Sequence, residues 1–455
     1  MQSFDVFIIG AGQAGPSLAR ALAQRGMSVA IAERKHMGGS CLNFGCTPTK
    51  AAVASARVAY LARRASDYGV NVSSVEVDFA RVIQRARELA ISFRDGMRNS
   101  FMPFDNPRLI EAHARLDGRE GESFRIRVAD DRYTAKHVVL DTGTRTLVPP
   151  IDGLSDLPFI HAGNWLEKTE LPPRLVVLGG GYIGVEMAQF YRRMGSDVTI
   201  LEGSAQIAAH EDEEVSSAIA KILTDEGIEI HTKVRVTRVS RAERGIRLTI
   251  EGGQAIDATD LFLAIGRKPN TDDLGLETVG VTMSDTGVVK ADERLATNID
   301  RIWVAGDIRG GPMFTHTAWD DYRIIESQIV GTDRKTTSGR VIPYGVFTDP
   351  ELGRVGMTET EARQSGRTIR VLRYDMANNA KALELGEPRG FVKLVVDAGS
   401  EQLLGAAILS VEGAELVHVC IDLMKAGAPI SNIRDAIYIH PTLAEALQSA
   451  ALVSS

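Results

Sequence analysis

Long apolar runs are absent from this sequence: none approaches the ~18 consecutive apolar residues that a membrane-spanning helix needs, so no membrane is expected as a partner. Met1 leads directly into the strand-sized run Val6-Phe7-Ile8-Ile9 without a basic segment or a cleavage site, and export is not signalled. An excess of one charge is also missing. Against 52 Lys and Arg stand 59 Asp and Glu, a net charge of -7 with the basic residues scattered, which offers no footprint for a phosphate backbone and excludes nucleic acid as an expected partner. Cysteine is scarce, with 3 in 455 residues, too few for a disulfide framework. A reducing cytoplasm is the expected location, and a close cysteine pair there points to catalysis or metal binding rather than to structure. What remains is ordinary globular composition, 44% hydrophobic and 24% charged, in a chain too long for one core.

A glycine-rich pattern occurs twice. Phe4-Asp5-Val6-Phe7-Ile8-Ile9 leads into Gly10, Gly12 and Gly15, with a helix expected from Pro16 to Gly26; Leu175-Val176-Val177-Leu178 leads into Gly179, Gly181 and Gly184, with a helix to about Met194. Each copy has the strand, turn and helix that a dinucleotide fingerprint requires: the first glycine for the tight turn, the second for approach of backbone to a pyrophosphate, the third for helix–strand packing. The helix N-terminus then offers free N–H groups to phosphate. A further strand follows each helix and ends in an acid, Glu33 or Glu202, a little over 20 residues past the first glycine, where a ribose diol is held. Two dinucleotide sites follow. At the second, Glu202 accepts from a 2′-hydroxyl and repels a 2′-phosphate, and Gly203-Ser204-Ala205-Gln206-Ile207 adds no basic side chain, so NADH is expected over NADPH.

Between the first acid and the next helical stretch lies Gly38-Gly39-Ser40-Cys41-Leu42-Asn43-Phe44-Gly45-Cys46-Thr47-Pro48-Thr49-Lys50. On a regular helix Cys41 and Cys46 would stand roughly 8–9 Å apart at Cα, whereas a disulfide needs less than about 7 Å. Bridging them requires a distorted helix, which Gly45 permits. Zinc would want a second ligand pair that the sequence does not offer. Cys420, in an apolar stretch with no cysteine nearby, is expected to be an inert core residue.

Arg301-Ile302-Trp303-Val304-Ala305-Gly306-Asp307 is expected to be a buried strand ending in a tight turn, returning to complete the first sheet. Beyond about Arg340, short strands surround longer helical stretches with no phosphate loop, a third α+β unit. The expected fold is therefore α/β, with two Rossmann-like dinucleotide-binding domains and a C-terminal α+β domain. The boundaries are 1–150 and 271–339 for the first, discontinuous domain, 151–270 for the second and 340–455 for the third.

The sequence resembles the class I pyridine nucleotide-disulfide oxidoreductases, which include dihydrolipoamide dehydrogenase, glutathione reductase and mercuric reductase. The most specific likeness is the run from Gly38 to Lys50; Asp141-Thr142-Gly143-Thr144, Ala264-Ile265-Gly266-Arg267, Gly306-Asp307 and Tyr438-Ile439-His440-Pro441-Thr442-Leu443-Ala444-Glu445 support it. The resemblance implies FAD on Gly10, Gly12, Gly15, Glu33, Gly39, Ser40, Lys50, Thr142, Gly143 and Asp307. It implies nicotinamide nucleotide on Gly179, Gly181, Gly184, Glu202 and Gly266. Hydride is expected to pass from nicotinamide to flavin and then to a Cys41–Cys46 disulfide, with Cys46 nearer the flavin and Cys41 exchanging with substrate. Lys50 and Glu186 would form a flavin-side ion pair, and His440, oriented by Glu445, would act as acid/base from the partner chain of a homodimer. No resident metal is expected.

A small-molecule disulfide or other oxidant is the implied substrate. Within the family the chain is most similar to a mercuric-reductase-like branch, but Ala451-Leu452-Val453-Ser454-Ser455 lacks the cysteine pair that delivers mercury, no metal-binding domain precedes the first strand, and His440 stands where that enzyme is expected to lack histidine. Dihydrolipoamide dehydrogenase fits His440 and Glu202, yet Phe314-Thr315-His316-Thr317-Ala318-Trp319-Asp320-Asp321-Tyr322 departs from its usual segment. Reduction of Hg(II) or Cu(II) is the remaining alternative of this kind. A transhydrogenase is expected to lack one of the two cysteines, and a non-catalytic FAD protein would not keep both with His440 and Lys50.

Overall fold

The computed structural model describes residues 1–332 and 334–453; Ser454 and Ser455, the end of the cysteine-free tail, lie outside the described residues. The strand Gln2–Ile9 runs at the centre of a seven-stranded sheet, parallel to Val29–Ala32 on one side and to Asp131–Leu140 on the other. Val6, Phe7 and Ile8 have no exposed surface, as expected of a strand covered on both faces, which needs a continuous apolar run rather than alternation. Ile302–Val304 joins this sheet parallel to Asp131–Leu140. It begins one residue after the strand expected from the sequence, because Arg301 adopts a left-handed backbone (φ 66°). The first helix, Gly15–Gln24, likewise stops before Gly26, whose φ of 82° ends it.

A second sheet of five parallel strands is built around Arg174–Leu178, flanked by Asp197–Leu201 and Asp260–Leu263, and its helix Tyr182–Met194 follows the second glycine turn. A small antiparallel sheet of Val236–Ala242, Gly245–Ile250 and Ala255–Ala258 is inserted before Asp260–Leu263. The strands Thr144–Thr146 and Arg267–Pro269 pair antiparallel and tie the exits of the two larger sheets' central parallel strands together. Both glycine turns therefore sit at the carboxyl ends of central parallel strands, where open α/β sheets form their ligand crevices. The third unit is a five-stranded antiparallel sheet, packed against Gly413–Ala426 and Glu445–Leu452. The fold is α/β in two Rossmann-like units with an α+β C-terminal unit.

Two long helices, Cys46–Arg63 and Phe79–Asn99, cover the first two units. Cys46–Arg63 approaches its neighbours through Ala51, Ala52, Ala56 and Ala59, all buried, and small side chains there admit close helix packing. The second and third units are joined by buried ion pairs. Arg193, 4% exposed, binds Asp349 at 2.6 Å and Glu226 at 2.7 Å, and Arg389 reaches Glu226 at 3.2 Å. Burial opposes the Asp349 charge, but Arg193 and Arg57 outweigh it and hold its carboxyl below the usual carboxylate range. No helix of the described residues is long and apolar enough to cross a membrane.

Candidate active site

Cys41 and Cys46 lie on different helices. Cys41 belongs to the short helix Gly39–Asn43 and Cys46 begins the helix Cys46–Arg63, the break falling at Phe44 and Gly45. Local hydrogen bonds hold the break: Phe44 N–H and Gly45 N–H both donate to Ser40 O, at 3.1 and 2.7 Å, and Trp165 Nε1 donates to Phe44 O at 2.8 Å. A Cβ at Gly45 would stand 2.9 Å from Ser40 O, so the close return of the chain excludes a larger residue. Both thiols are free, and that of Cys41 hydrogen-bonds the Cys46 sulfur.

The pair is electrically unequal. The hydrogen bond from Cys41, aided by Thr315 and Lys50 and opposed by burial and Glu186, lowers Cys46 below the usual thiol range. That same bond, then burial and the Cys46 charge, push Cys41 up. Thr315 Oγ1 lies 3.3 Å from Cys46 Sγ. Lys50 stands four residues after Cys46 on one helix face and donates to Glu186 Oε2 at 2.9 Å; Glu186 Oε1 accepts the Phe347 N–H at 2.8 Å. Burial works against the Lys50 charge, but Glu186 and Cys46 overcome it and raise its pKa. Cys46 therefore starts a helix with the Thr315 hydroxyl beside its sulfur and the Lys50–Glu186 ion pair one turn further on.

These groups line one cavity of about 1890 Å³ that extends across both glycine turns. Its size exceeds the roughly 300–1,000 Å³ of an ordinary ligand pocket and suits two dinucleotides meeting end to end. Gly10, Gly12, Glu33, Gly39, Ser40, Thr142, Gly143, Asp307, Gly179, Gly181, Glu202 and Gly266 all line it, together with the cysteines, Lys50 and Glu186. Gly15 and Gly184 do not. Cβ atoms there would meet Gly10 O at 2.8 Å and Gly179 O at 2.0 Å, so these two glycines let each helix pack on its turn.

The two turns share one pattern. Gly10 and Gly179 have φ of 98° and 107°, and Glu33 Oε2 accepts Ala11 N–H at 2.9 Å as Glu202 Oε2 accepts Gly180 N–H at 2.6 Å. Fixed N–H donors, paired acids and open cavity above each turn form a donor set that fits two dinucleotides. Thr142 Oγ1 donates to Asn270 O at 2.9 Å, and Asp307 accepts from Thr144 Oγ1 at 3.1 Å.

His440 and Glu445 form a contact apart from the rest. His440 Nδ1 and Glu445 Oε1 are 3.0 Å apart, and the Thr442 N–H and His440 hold Glu445 below the usual carboxylate range. Neither lines the cavity of its own chain. The His440 side chain is 71% exposed, and Ile437 and Ile439 just before it in the chain are exposed as well. Cys420 is fully buried and takes no part.

Several cavity residues escaped the sequence reasoning. Tyr182 and Tyr344 stack at 5.4 Å and both donate to Glu211 Oε1, at 2.9 and 2.6 Å. Arg235 lines the wall with Glu202 and Ser204. Thr315 reaches Cys46 from 269 residues away. Only the motif position of Tyr182, directly after Gly181, carried any local signal for this group.

Residues 4–321 match the family described as pyridine nucleotide-disulphide oxidoreductase, and residues 342–451 match that family's dimerisation domain. The chain is 35% identical over 452 residues to the probable pyridine nucleotide-disulfide oxidoreductase RclA of Escherichia coli (strain K12), covering 98% of each. It is 35% identical over 476 residues to a dihydrolipoyl dehydrogenase of Rhizobium etli, covering 99% of this chain and 98% of that one. Among solved structures it is similar to the Cu(II) complex of the HOCl-induced flavoprotein disulfide reductase RclA from Escherichia coli, with a TM-score of 0.90, 34% identity and 99% of each chain covered.

In the dithiol form, thiolate absorbance in the ultraviolet is expected to rise with a midpoint below that of an ordinary thiol. Thr315→Ala removes a hydrogen bond to the charged sulfur and moves that midpoint upward. An unchanged midpoint would show that Thr315 does not stabilise the thiolate.

Proposed function

The chain belongs to the pyridine nucleotide-disulphide oxidoreductases, a flavoprotein family that reduces disulfides with NAD(P)H, and from that membership we propose the assignment of each step to its residues. The carrying observation is the placing of Cys41 and Cys46 on the two sides of a helix break in the wall of the cavity shared by both glycine turns, with Thr315 3.3 Å from the Cys46 sulfur and Lys50 held by Glu186 at 2.9 Å. Bound FAD supplies the two-electron relay between reduced nicotinamide and the Cys41–Cys46 disulfide. The domain division follows the expected boundaries, 1–150 with 271–339 for FAD, 151–270 for the nicotinamide nucleotide and 340–455 for the dimer, and the return of Ile302–Val304 to the first sheet supports it.

Once the Cys41–Cys46 bond is broken, Cys46 keeps its charge beside Lys50 and Thr315 in the wall of the cavity that would hold the flavin. Cys41 keeps a proton until a base removes it. His440 of the partner copy is that base, set by Glu445. The Cys41 thiolate attacks a substrate disulfide, forming a mixed disulfide, and His440 returns the proton to the leaving thiolate. The Cys46 thiolate then attacks the Cys41 sulfur, the second substrate sulfur leaves as a thiolate that takes its proton from solvent, and the internal disulfide is restored. The exposure of His440, preceded by the exposed Ile437 and Ile439 in a dimerisation domain, supports delivery across the homodimer. A reducing cytoplasm is where such a dithiol cycle persists.

NADH is the preferred donor. The Glu202 carboxylate accepts Gly180 N–H and Ser204 N–H, both at 2.6 Å, and so presents fixed negative charge where a 2′-phosphate would lie. The acceptor is a small disulfide or other oxidant. A second reading, Cu(II) as an oxidising substrate, is favoured by the Cu(II) complex of the RclA relative and by the soft donor pair Cys41 and Cys46. In this reading the ion is the substrate.

Mixed dimers test the trans arrangement. Chains carrying Cys41→Ser and chains carrying His440→Ala are each expected to be inactive alone with disulfide acceptors. Their heterodimers should recover about half of wild-type turnover, since one site then joins an intact cysteine pair to an intact histidine. No recovery would place the histidine in the same chain as its cysteines or deny it a role. For the donor, KM is expected to be roughly tenfold lower for NADH than for NADPH; the reverse order would make Arg235 the partner of a 2′-phosphate.

A further inference from the structure

The two nucleotide turns differ in one buried residue. Beneath the first glycine of each lies the end of a neighbouring parallel strand, and a Cβ on Gly10 would stand 2.4 Å from Asp141 O, as one on Gly179 would stand 2.5 Å from Ala264 O. Asp141-Thr142-Gly143 and Ala264-Ile265-Gly266 therefore occupy the same place in the two repeats. At the second turn Ala264 presents only a methyl group, 3.6 Å from where a Cβ on Gly184 would be. At the first turn there is a carboxyl group. Asp141 Oδ2 accepts the Gly15 N–H at 2.7 Å, while Oδ1 lies 2.7 Å from where a Cβ on Gly12 would be. Asp141 is 3% exposed, lines the cavity at this turn, and Oδ1 has no hydrogen-bond partner among the described residues.

We propose that Asp141 is a neutral carboxylic acid that donates its proton from Oδ1 in a hydrogen bond to a phosphate oxygen of the dinucleotide held at the first turn. The proposal rests on the assignment of that turn to FAD. An ionised carboxylate is only an acceptor and would repel a diphosphate, whereas the protonated acid is a donor. The surroundings favour the neutral form. Burial, then the negative charges of Asp321, Glu33 and Asp307, push Asp141 well above the usual carboxylate range, with Gly15 N–H opposing.

The neighbouring donors are already committed elsewhere. Glu33 accepts the N–H groups of Ala11, Lys35 and His36. Asp321 holds Arg309, Arg340 and Gly306 N–H, and Asp307 faces Thr144 and Arg267. Asp141 is left with a single backbone donor. The contact gives the first turn a bond to phosphate that the second lacks, and so distinguishes a nucleotide that stays from one that must leave in every turnover.

The test is flavin release from the holoenzyme, measured by recovery of flavin fluorescence, in wild type, Asp141→Asn, Asp141→Ala and Glu33→Ala. Asn keeps both an acceptor for Gly15 and a donor for phosphate, so its release rate should stay within about twofold of wild type, while Ala should release roughly tenfold to hundredfold faster. The infrared spectrum of the wild-type holoprotein at neutral pH should show the carbonyl stretch of a protonated carboxylic acid that disappears in Asp141→Asn.

Equal acceleration by Asn and Ala, wild-type release by Ala, or absence of that band would each overturn the proposal; should Ala fail to fold, the Asn rate and the infrared band still decide. Glu33→Ala separates the two levels. If it accelerates release and Asp141→Ala does not, only the role of Asp141 fails; if neither does, the assignment of this turn to FAD fails.

Discussion

A break in one helix at Phe44 and Gly45 sets the conditions for everything else in the site. A continuous helix would hold Cys41 and Cys46 too far apart to exchange electrons as a bond. The interruption folds Cys41 back onto Cys46, and hydrogen bonds from Trp165 and to Ser40 keep it there. Because Cys46 starts the second helix, its sulfur receives Thr315 and Lys50 as neighbours, and because Cys41 ends up behind it, the two thiols become donor and acceptor to each other. One geometric irregularity thus creates both the bond and the inequality of its halves. Glu186 completes the arrangement by pairing with Lys50 at 2.9 Å.

The rest of the fold brings this pair to a place where two nucleotides meet. The central parallel strands of two sheets offer their glycine turns to one cavity, and the antiparallel pair Thr144–Thr146 with Arg267–Pro269 ties the two sheets together beside it. Buried charge fixes the third unit against the second: Arg193 with Asp349 and Glu226, and Lys393 with Asp212 and Glu359 at 3.1 and 2.8 Å. Such networks are expensive to break once buried. They hold the dimerisation domain, and with it His440, in a fixed attitude to the nucleotide cavity.

Much of this was legible in the sequence because it is written locally. The strand–glycine–helix repeats, the acids Glu33 and Glu202 and the cysteine run each lie within a few dozen residues, and backbone geometry alone ties glycine at those positions to tight turns and close packing. Cys420 was readable for the same reason, from its apolar surroundings. Thr315, Glu211, Tyr344 and Asp141 were not legible as site residues, since each acts through a contact far away in the chain: Asp141 meets Gly15 from 126 residues off and Tyr344 meets Glu211 from 133. The ends of elements were lost to single backbone conformations, the left-handed Arg301 and Gly26. One signal for Asp141 did exist, in the alanine at the matching place of the second repeat, but the match emerges only when the two turns are superposed in space.

The central claim is that Cys46, not Cys41, holds its thiolate against the flavin. The most direct measurement is the long-wavelength thiolate-to-flavin absorption of the anaerobically half-reduced enzyme, compared with the oxidised spectra of Cys41→Ser and Cys46→Ser. The account predicts the band in half-reduced wild type and in Cys41→Ser, where Cys46 is left as a free thiolate, and none in Cys46→Ser. A band that survives in Cys46→Ser and is missing from Cys41→Ser would contradict it.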